Sequence, residues 1–216
     1  MSEDRHSKAD PLELITDPEE KARREAENAV RQYKAAIEII RDSVQRPNGE
    51  FRLTQAIILD LHERVLEGIH PLAGTYRNTP VTIGKSSHIP PRHVEVPELV
   101  GEMCAYVNEH WADRNAVHLA AYVLWRMNWI HPFADGNGRT ARAVSYVVLS
   151  AKLNSVLPGA PAIPDLIASD KGPYYRNLEE ADASWKFGRI ALSGMEQMLE
   201  TMLAQQLLSA TEEASA

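Results

Sequence analysis

The chain alternates between stretches in which apolar residues recur every three to four positions and stretches broken by proline and glycine. From Pro18, "PEEKARREAENAVRQYKAAIEIIRDSV" places Val30, Tyr33, Ala36, Ile37 and Ile40 on one side of a helix. Asp17 is its expected N-cap, with proline at the first helical position. "RLTQAIILDLHERVLEGI" predicts a second helix, capped by Thr54. Two more follow in "PELVGEMCAYVNEHW" and "RNAVHLAAYVLWRMNWI". The latter carries Val117, Ala120, Ala121, Leu124 and Met127 on one stripe, with Leu119, Val123 and Ile130 beside it. Being apolar around much of its circumference, it is expected at the centre of the core. "TARAVSYVVLSAKLN" has the same character; "LPGAPAIP" breaks the chain, and "IPDLIAS" and "PYYRNLEEAD" predict short helices. "WKFGRIALSGMEQMLETMLAQQLLS" predicts a closing amphipathic helix.

One long segment does not fit this rhythm. "HPLAGTYRNTPVTIGKSSHIPPRHVEVPE" is rich in proline and reads as an irregular connection holding a small extended hairpin around Val81, Thr82 and Ile83. Connections this long in a compact domain are often functional. The pattern as a whole predicts an all-α fold with one small β element. Residues 1–50 read as an N-terminal extension, with a mobile acidic lead-in to about Pro18 and a helix over about 18–45. Residues 51–205 read as the domain, and 206–216 as a disordered tail.

Composition narrows the picture. The 216 residues are 44% hydrophobic and 25% charged, as expected of a globular protein, with a net charge of -7. That balance argues against generic nucleic-acid binding but leaves room for a nucleotide site, which needs only a few local cations. The lone cysteine, Cys104, permits no internal disulfide and sits in an apolar helical pattern, so it is expected as a small buried hydrophobe in a reducing compartment. The polar N-terminus lacks a secretory core and no apolar run reaches the length of a membrane span, so the expectation is a cytoplasmic protein without membrane attachment. His62, Glu63 and His70 lack the spacing of a zinc protease and read as a solvated helix end.

"WIHPFADGNGRTAR" carries the candidate chemistry. Pro132 ends the preceding helix, which leaves His131 at its exit. The glycines flanking Asn137 permit positive φ and keep side chains away from a ligand. Successive backbone N–H groups in such a turn, followed by a helix N-terminus, favour an anion. Arg139 and Arg142 share a helical face and carry the fork geometry suited to phosphate oxygens. Asp135 beside a polyphosphate requires an intervening cation, for which Mg²⁺ is the natural choice. His131, with a pKa near neutrality, suits a base that takes a proton from an attacking hydroxyl. These residues point to phosphoryl or nucleotidyl transfer from a Mg-nucleotide to a hydroxyl.

The same residues resemble the Fic family motif His-x-Phe-x-Asp/Glu-Gly-Asn-Gly-Arg-x-x-Arg, here His131, Phe133, Asp135, Gly136, Asn137, Gly138, Arg139 and Arg142, without departure. The resemblance spans about Arg52 to Leu203. It implies a helical core with a β-hairpin flap, and transfer of AMP from ATP to a Ser, Thr or Tyr hydroxyl of a target protein, with release of pyrophosphate. In this reading His131 is the general base, Asp135 holds Mg²⁺, Gly136, Asn137 and Gly138 form the anion hole, and Arg139 and Arg142 bind phosphates. Phe133 anchors the loop, Val81 to Ile83 align the target by strand pairing, and Tyr174 or Tyr175 borders the adenine.

Many family members also carry an inhibitory helix with Ser/Thr-x-x-x-Glu-Gly/Asn, whose glutamate pairs with the second motif arginine. "RREAEN" offers Glu27 and Asn28 for its end, with Arg23 in place of the hydroxyl residue. The implied pair is Glu27 with Arg142; the alternative is that Glu27 is one of many solvated acids. Transfer or removal of another group, such as UMP or phosphocholine, and de-AMPylation stay open. So does a toxin–antitoxin-type regulatory partner with little turnover. The closing helix can pack internally or across a homodimer.

Overall fold

In this computed structural model, which describes residues 7–8, 14–46 and 50–213, the helices run in the order that the apolar periodicity predicts. They are β1 (Ser7–Lys8), α1 (Pro18–Gln45), α2 (Gln55–Leu66), β2 (Thr82–Ile83), α3 (Val96–Glu109), α4 (Ala116–Ile130), α5 (Asn137–Lys152), α6 (Ile163–Ser169), α7 (Lys171–Trp185) and α8 (Ser193–Glu213). The fold is mostly α-helical. Among the described residues, no helix is long and apolar enough to cross a membrane.

The two most apolar helices, α4 and α5, form the centre. Leu119, Ala120, Val123, Leu124 and Met127 of α4 and Ala141, Val144, Val147 and Val148 of α5 are fully buried. Ser145 Oγ donates to Ala120 O at 2.9 Å, which satisfies a hydroxyl inside the helix contact. The segment joining α4 to α5 is 131–136, so the central hairpin presents the motif loop at one end of the core. Caps fall where the sequence places them: Asp17 accepts from Glu20 N–H, and Thr54 from Ile57 N–H. Cys104 is buried in α3, and burial pushes its thiol up to about 12.

Helix α1 packs on α2 and joins the same core, through Ala36, Ile37 and Ile40. Its predicted face is rotated, however: Val30 and Tyr33 are exposed. Asn28 and Gln32 are buried instead. Asn28 Nδ2 donates to Val65 O (3.3 Å) and Glu67 O (2.9 Å), and Gln32 Nε2 to Leu61 O (2.9 Å). The last carbonyls of a helix lack intrahelical partners, and Asn28 supplies a donor to Val65 O and Glu67 O at that end of α2. Apolar periodicity cannot register a face defined by amides.

Four other expectations change. The hairpin within the long connection does not form; β2 pairs with β1, antiparallel, with Ser7 opposite Ile83 and Lys8 opposite Thr82. The lead-in is anchored where it is described: Leu14 N–H donates to Ile69 O, and Ile15 packs on Val65, Leu66 and Ile69. The rest of it, residues 1–6 and 9–13, lies outside the described residues. The closing helix starts at Ser193, because Gly188 takes a left-handed φ of 70° after α7. The chain beyond 205 continues α8 to Glu213, and Gln206 is buried; residues 214–216 lie outside the described residues.

Gln206 shows why this tail is ordered. Its Oε1 accepts from Ile163 N–H (2.9 Å) at the start of α6, and its Nε2 donates to Tyr146 OH (3.0 Å). Gln206→Ala leaves a buried N–H without an acceptor and is expected to lower stability by about 2 kcal/mol in urea unfolding. No change in the midpoint would show that α8 does not bind the core there.

Candidate active site

The loop between α4 and α5 is built around two left-handed residues. His131 ends α4 at φ 51°, ψ 61°, and Gly136 precedes α5 at φ 75°. A Cβ on Gly136 would stand 3.3 Å from both His62 Cδ2 and Leu66 Cδ1, a tight fit that adds to the preference for glycine set by φ. Between them Phe133 is fully buried and stacks on the His62 ring, centroids 3.6 Å apart and planes 5° from parallel. Asn137 closes the turn: its Oδ1 accepts from Phe133 N–H (2.9 Å) and its Nδ2 donates to Phe133 O (2.8 Å). The Asn137 side chain therefore shapes the loop. α5 starts with no side-chain cap, and a helix N-terminus favours an anion.

His62 is not a solvated helix end. It is 1% exposed, and His70 is buried as well. Gly74 N–H donates to His62 Nδ1 (3.1 Å), so the ring proton sits on Nε2, which donates to Asp135 O (3.0 Å). Burial holds His62 down at about 4. The imidazole is thus a neutral strut that links the connection after α2 to the motif loop. Spacing along the chain gave no sign of it, because His62 and Asp135 are 73 positions apart.

Arg77 is the second residue that the pattern missed. It is 3% exposed, and its guanidinium faces carbonyls alone: Nε to His131 O (2.8 Å), Nη1 to Thr79 O (3.2 Å), Nη2 to Pro91 O (2.6 Å) and Ile130 O (3.4 Å). Its own N–H donates to Pro132 O. The two ends of the flap, near Thr79 and Pro91, are thereby fixed to the turn that carries His131. Burial lowers the Arg77 pKa, yet an arginine keeps its charge in a protein.

His131 itself is buried, and its Nδ1 lies 3.4 Å from Asn128 O. A proton on Nδ1 uses that acceptor and places the ring lone pair on Nε2. Burial pushes the ring down to about 4, so it is neutral near pH 7.

The two arginines are treated differently. Arg139 donates to Glu25 Oε1 from α1 (3.1 Å) and to Asp135 Oδ2 (3.1 Å). Arg142 has no carboxylate within 4.0 Å among the described residues, and burial lowers its pKa. Its Nη1 lies 3.4 Å from where a Gly138 Cβ would stand, over the first turn of α5. A partly exposed guanidinium over the positive end of a helix favours negative charge beside it. Glu27 does not reach it; its carboxylate binds Arg23 (2.9 Å) and faces Arg24 (3.7 Å) on α1 itself. The glutamate that α1 brings to the loop is Glu25.

Asp135 is partly exposed at the loop. Among the described residues no group of three or more His, Cys, Asp or Glu side chains could hold a metal ion. One carboxylate beside an anion site fits a Mg²⁺ that takes its other oxygens from bound phosphates and water. Tyr174 is 2% exposed, and its hydroxyl lies 2.6 Å from Asn128 Nδ2, so it belongs to the core. Tyr175 stands beside it, partly exposed. Val81 is buried at the foot of the flap; Thr82 and Ile83 form β2.

Comparison with known proteins converges on one family. Residues 52–149 match the family model described as Fic/DOC family. A protein adenylyltransferase Fic from Nematostella vectensis is 34% identical over 132 residues, covering 58% of this chain and 28% of that protein. The chain thus spans roughly a quarter of the length of that curated relative. A Fic-domain signaling protein from Bacteroides thetaiotaomicron superposes with a TM-score of 0.67 at 22% identity, over 84% of this chain and 70% of that one. BepC of Bartonella tribocorum, solved with AMPPNP bound, superposes at 0.58 with 18% identity, over 87% of this chain and 88% of that one. These likenesses to solved structures establish the fold.

The two depressed histidines give the site an acid signature. Their unfolded pKa of 6.5 exceeds the folded value of about 4, so their contribution is complete above pH 6.5, falls as pH drops towards 4, and levels below it. Each can remove up to ~3 kcal/mol over that window. Melting temperature followed from pH 7 to 4.5 should fall steeply, with a shallower slope in His62→Gln. Equal slopes would mean that His62 protonates without breaking its contacts.

Proposed function

The chain carries a Fic/DOC-family domain over residues 52–149, and from that premise we propose that it transfers AMP from Mg-ATP to a hydroxyl of a target protein. The observation that carries this reading is Arg142, a partly exposed cation with no carboxylate against it among the described residues, over the uncapped N-terminus of α5. The name of the Nematostella relative supplies the group moved and the class of acceptor. The AMPPNP in BepC supports a nucleotide as the anion.

In the reaction, the hydroxyl oxygen of a Ser, Thr or Tyr attacks the α-phosphorus. The new O–P bond forms as the α–β bridging bond breaks, and pyrophosphate leaves. The hydroxyl proton passes to His131 Nε2. A base held near 4 is weak, but triphosphate charge beside it raises its proton affinity, so the base strengthens when substrate is seated. Gly136, Asn137 and Gly138 offer backbone N–H groups, and Arg142, with Arg139, binds phosphate oxygens. Asp135 holds the Mg²⁺ that accompanies the nucleotide and offsets phosphate charge. Tyr175, backed by Tyr174, borders the adenine. Thr82 and Ile83 receive the target as an added strand, with Val81 as their buried anchor. The proposed setting is the cytoplasm.

Incubation with α-labelled ATP tests the reading. Label should move to protein with the wild type, and His131→Ala or Arg142→Ala should lower the rate at least 100-fold, the usual scale for a lost base or phosphate ligand. No label on any protein, with the Glu25 restraint also removed, would sink it.

The restraint on the site is assigned to Glu25. Both carboxylates on Arg139 must yield one face of the guanidinium before it meets phosphate. The Glu25–Arg139 pair is partly exposed, which limits it to about 0.5–1 kcal/mol. Glu25→Gln should therefore raise self-labelling two- to five-fold, while Glu27→Gln should leave it unchanged. The reverse order would restore Glu27 as the inhibitory residue.

A further inference from the structure

The strand partner of the flap is the chain's own N-terminus. Ser7–Lys8 lie antiparallel to Thr82–Ile83, and no third strand accompanies them among the described residues. We propose that residues 7–8 occupy, in cis, the backbone edge on which a target strand docks, so that the N-terminal segment is a built-in competitor of the target. This rests on the transferase reading for the identity of the displaced partner.

Three observations carry it. First, the edge is rigidly tied to the chemistry: Arg77 joins Thr79 and Pro91 to His131 O, and His88 Nε2 meets Trp129 O at 2.7 Å. A strand added to β2 is therefore held at a fixed place relative to His131. Second, strand pairing is made by main-chain groups and tolerates many sequences, so an edge that fits residues 7–8 fits an extended segment of another protein. Third, the segment is tethered. Leu14 N–H, six positions beyond Lys8, is bound to Ile69 O, and Ile15 is buried against α2. A two-residue pairing is marginal in isolation. A short tether raises the local concentration of its partner to the millimolar range, which keeps it seated yet displaceable.

The inhibition this implies differs in kind from that of Glu25. Glu25 competes for an arginine and so acts on nucleotide. The N-terminal strand competes for the flap and so acts on the acceptor, raising the apparent KM for the target without changing nucleotide affinity.

The test uses the full chain with Ser7→Pro and Lys8→Pro together, since only one of two adjacent opposed pairs exchanges N–H···O bonds and the double variant removes that donor. In the wild type the one amide of Thr82 and Ile83 that faces β1 should be protected in hydrogen exchange; in the variant it should exchange at least ten-fold faster. Unchanged protection overturns the pairing. A fluorescent peptide of residues 2–12, read by anisotropy, should bind the variant at least five-fold tighter than the wild type, and equal binding overturns the competition. ATP affinity should be the same in both proteins; a loss would mean that the substitutions reach the nucleotide site, against the proposal. Both readings are independent of AMP transfer. Positive exchange and peptide results with no label transfer would retain the strand occupancy and sink the transferase reading.

Discussion

Arg77 is the constraint on which the site depends. A buried guanidinium normally requires a carboxylate, because burying an unpaired charge is costly. Here the compensation is a ring of carbonyl oxygens from Thr79, Pro91, Ile130 and His131. Those oxygens belong to two segments that share no secondary structure. A lysine has no planar fork to reach them together, and a neutral side chain would strand them. The left-handed turn at His131 and the irregular flap are thus one object. The strain of a non-glycine residue at positive φ is held in place by the charge that faces its carbonyl.

The electrostatics of the loop follow from an asymmetry between neighbouring cations. Arg139 is offset by Glu25 and Asp135, and Arg142 by neither. One arginine of the loop is thus paired with carboxylates, and the other meets none within 4.0 Å among the described residues. In the proposed reaction the phosphate meets Arg142 first, at the end of α5 where the helix dipole adds to the attraction. The neutral histidines on either side keep this field from being raised further: His62 braces the loop without charge, and His131 takes a positive charge only as it receives a proton.

The helices were legible because their information is local. Periodicity fixes α4 and α5, caps fix the starts of α1 and α2, and the proline after His131 fixes the end of α4. The chemistry of the loop was legible because its residues are consecutive. What escaped is long-range and polar. Asn28 and Gln32 bury amides where a periodic pattern looks for aliphatics. His62 and Arg77 act on a loop that lies more than fifty positions away. Glu25 and Glu27 are two steps apart on one helix, and only three-dimensional packing decides which carboxylate faces Arg139. The partner of β2 was illegible for the same reason: a two-residue strand carries no periodic signal at all.

The polar seam between α1 and α2 has a bearing on how the N-terminal extension changes state. Apolar contacts hold α1 at Ala36, Ile37 and Ile40, whereas the part nearer the loop is held by amides and by the Glu25–Arg139 and Arg31–Glu67 ion pairs. Water can replace amide and carboxylate contacts at small net loss, but it cannot replace greasy ones. The extension is therefore built like a bridge, greasy at Ile15 and at Ala36 to Ile40 and polar between them, so salt and solvent act on its span rather than on its ends.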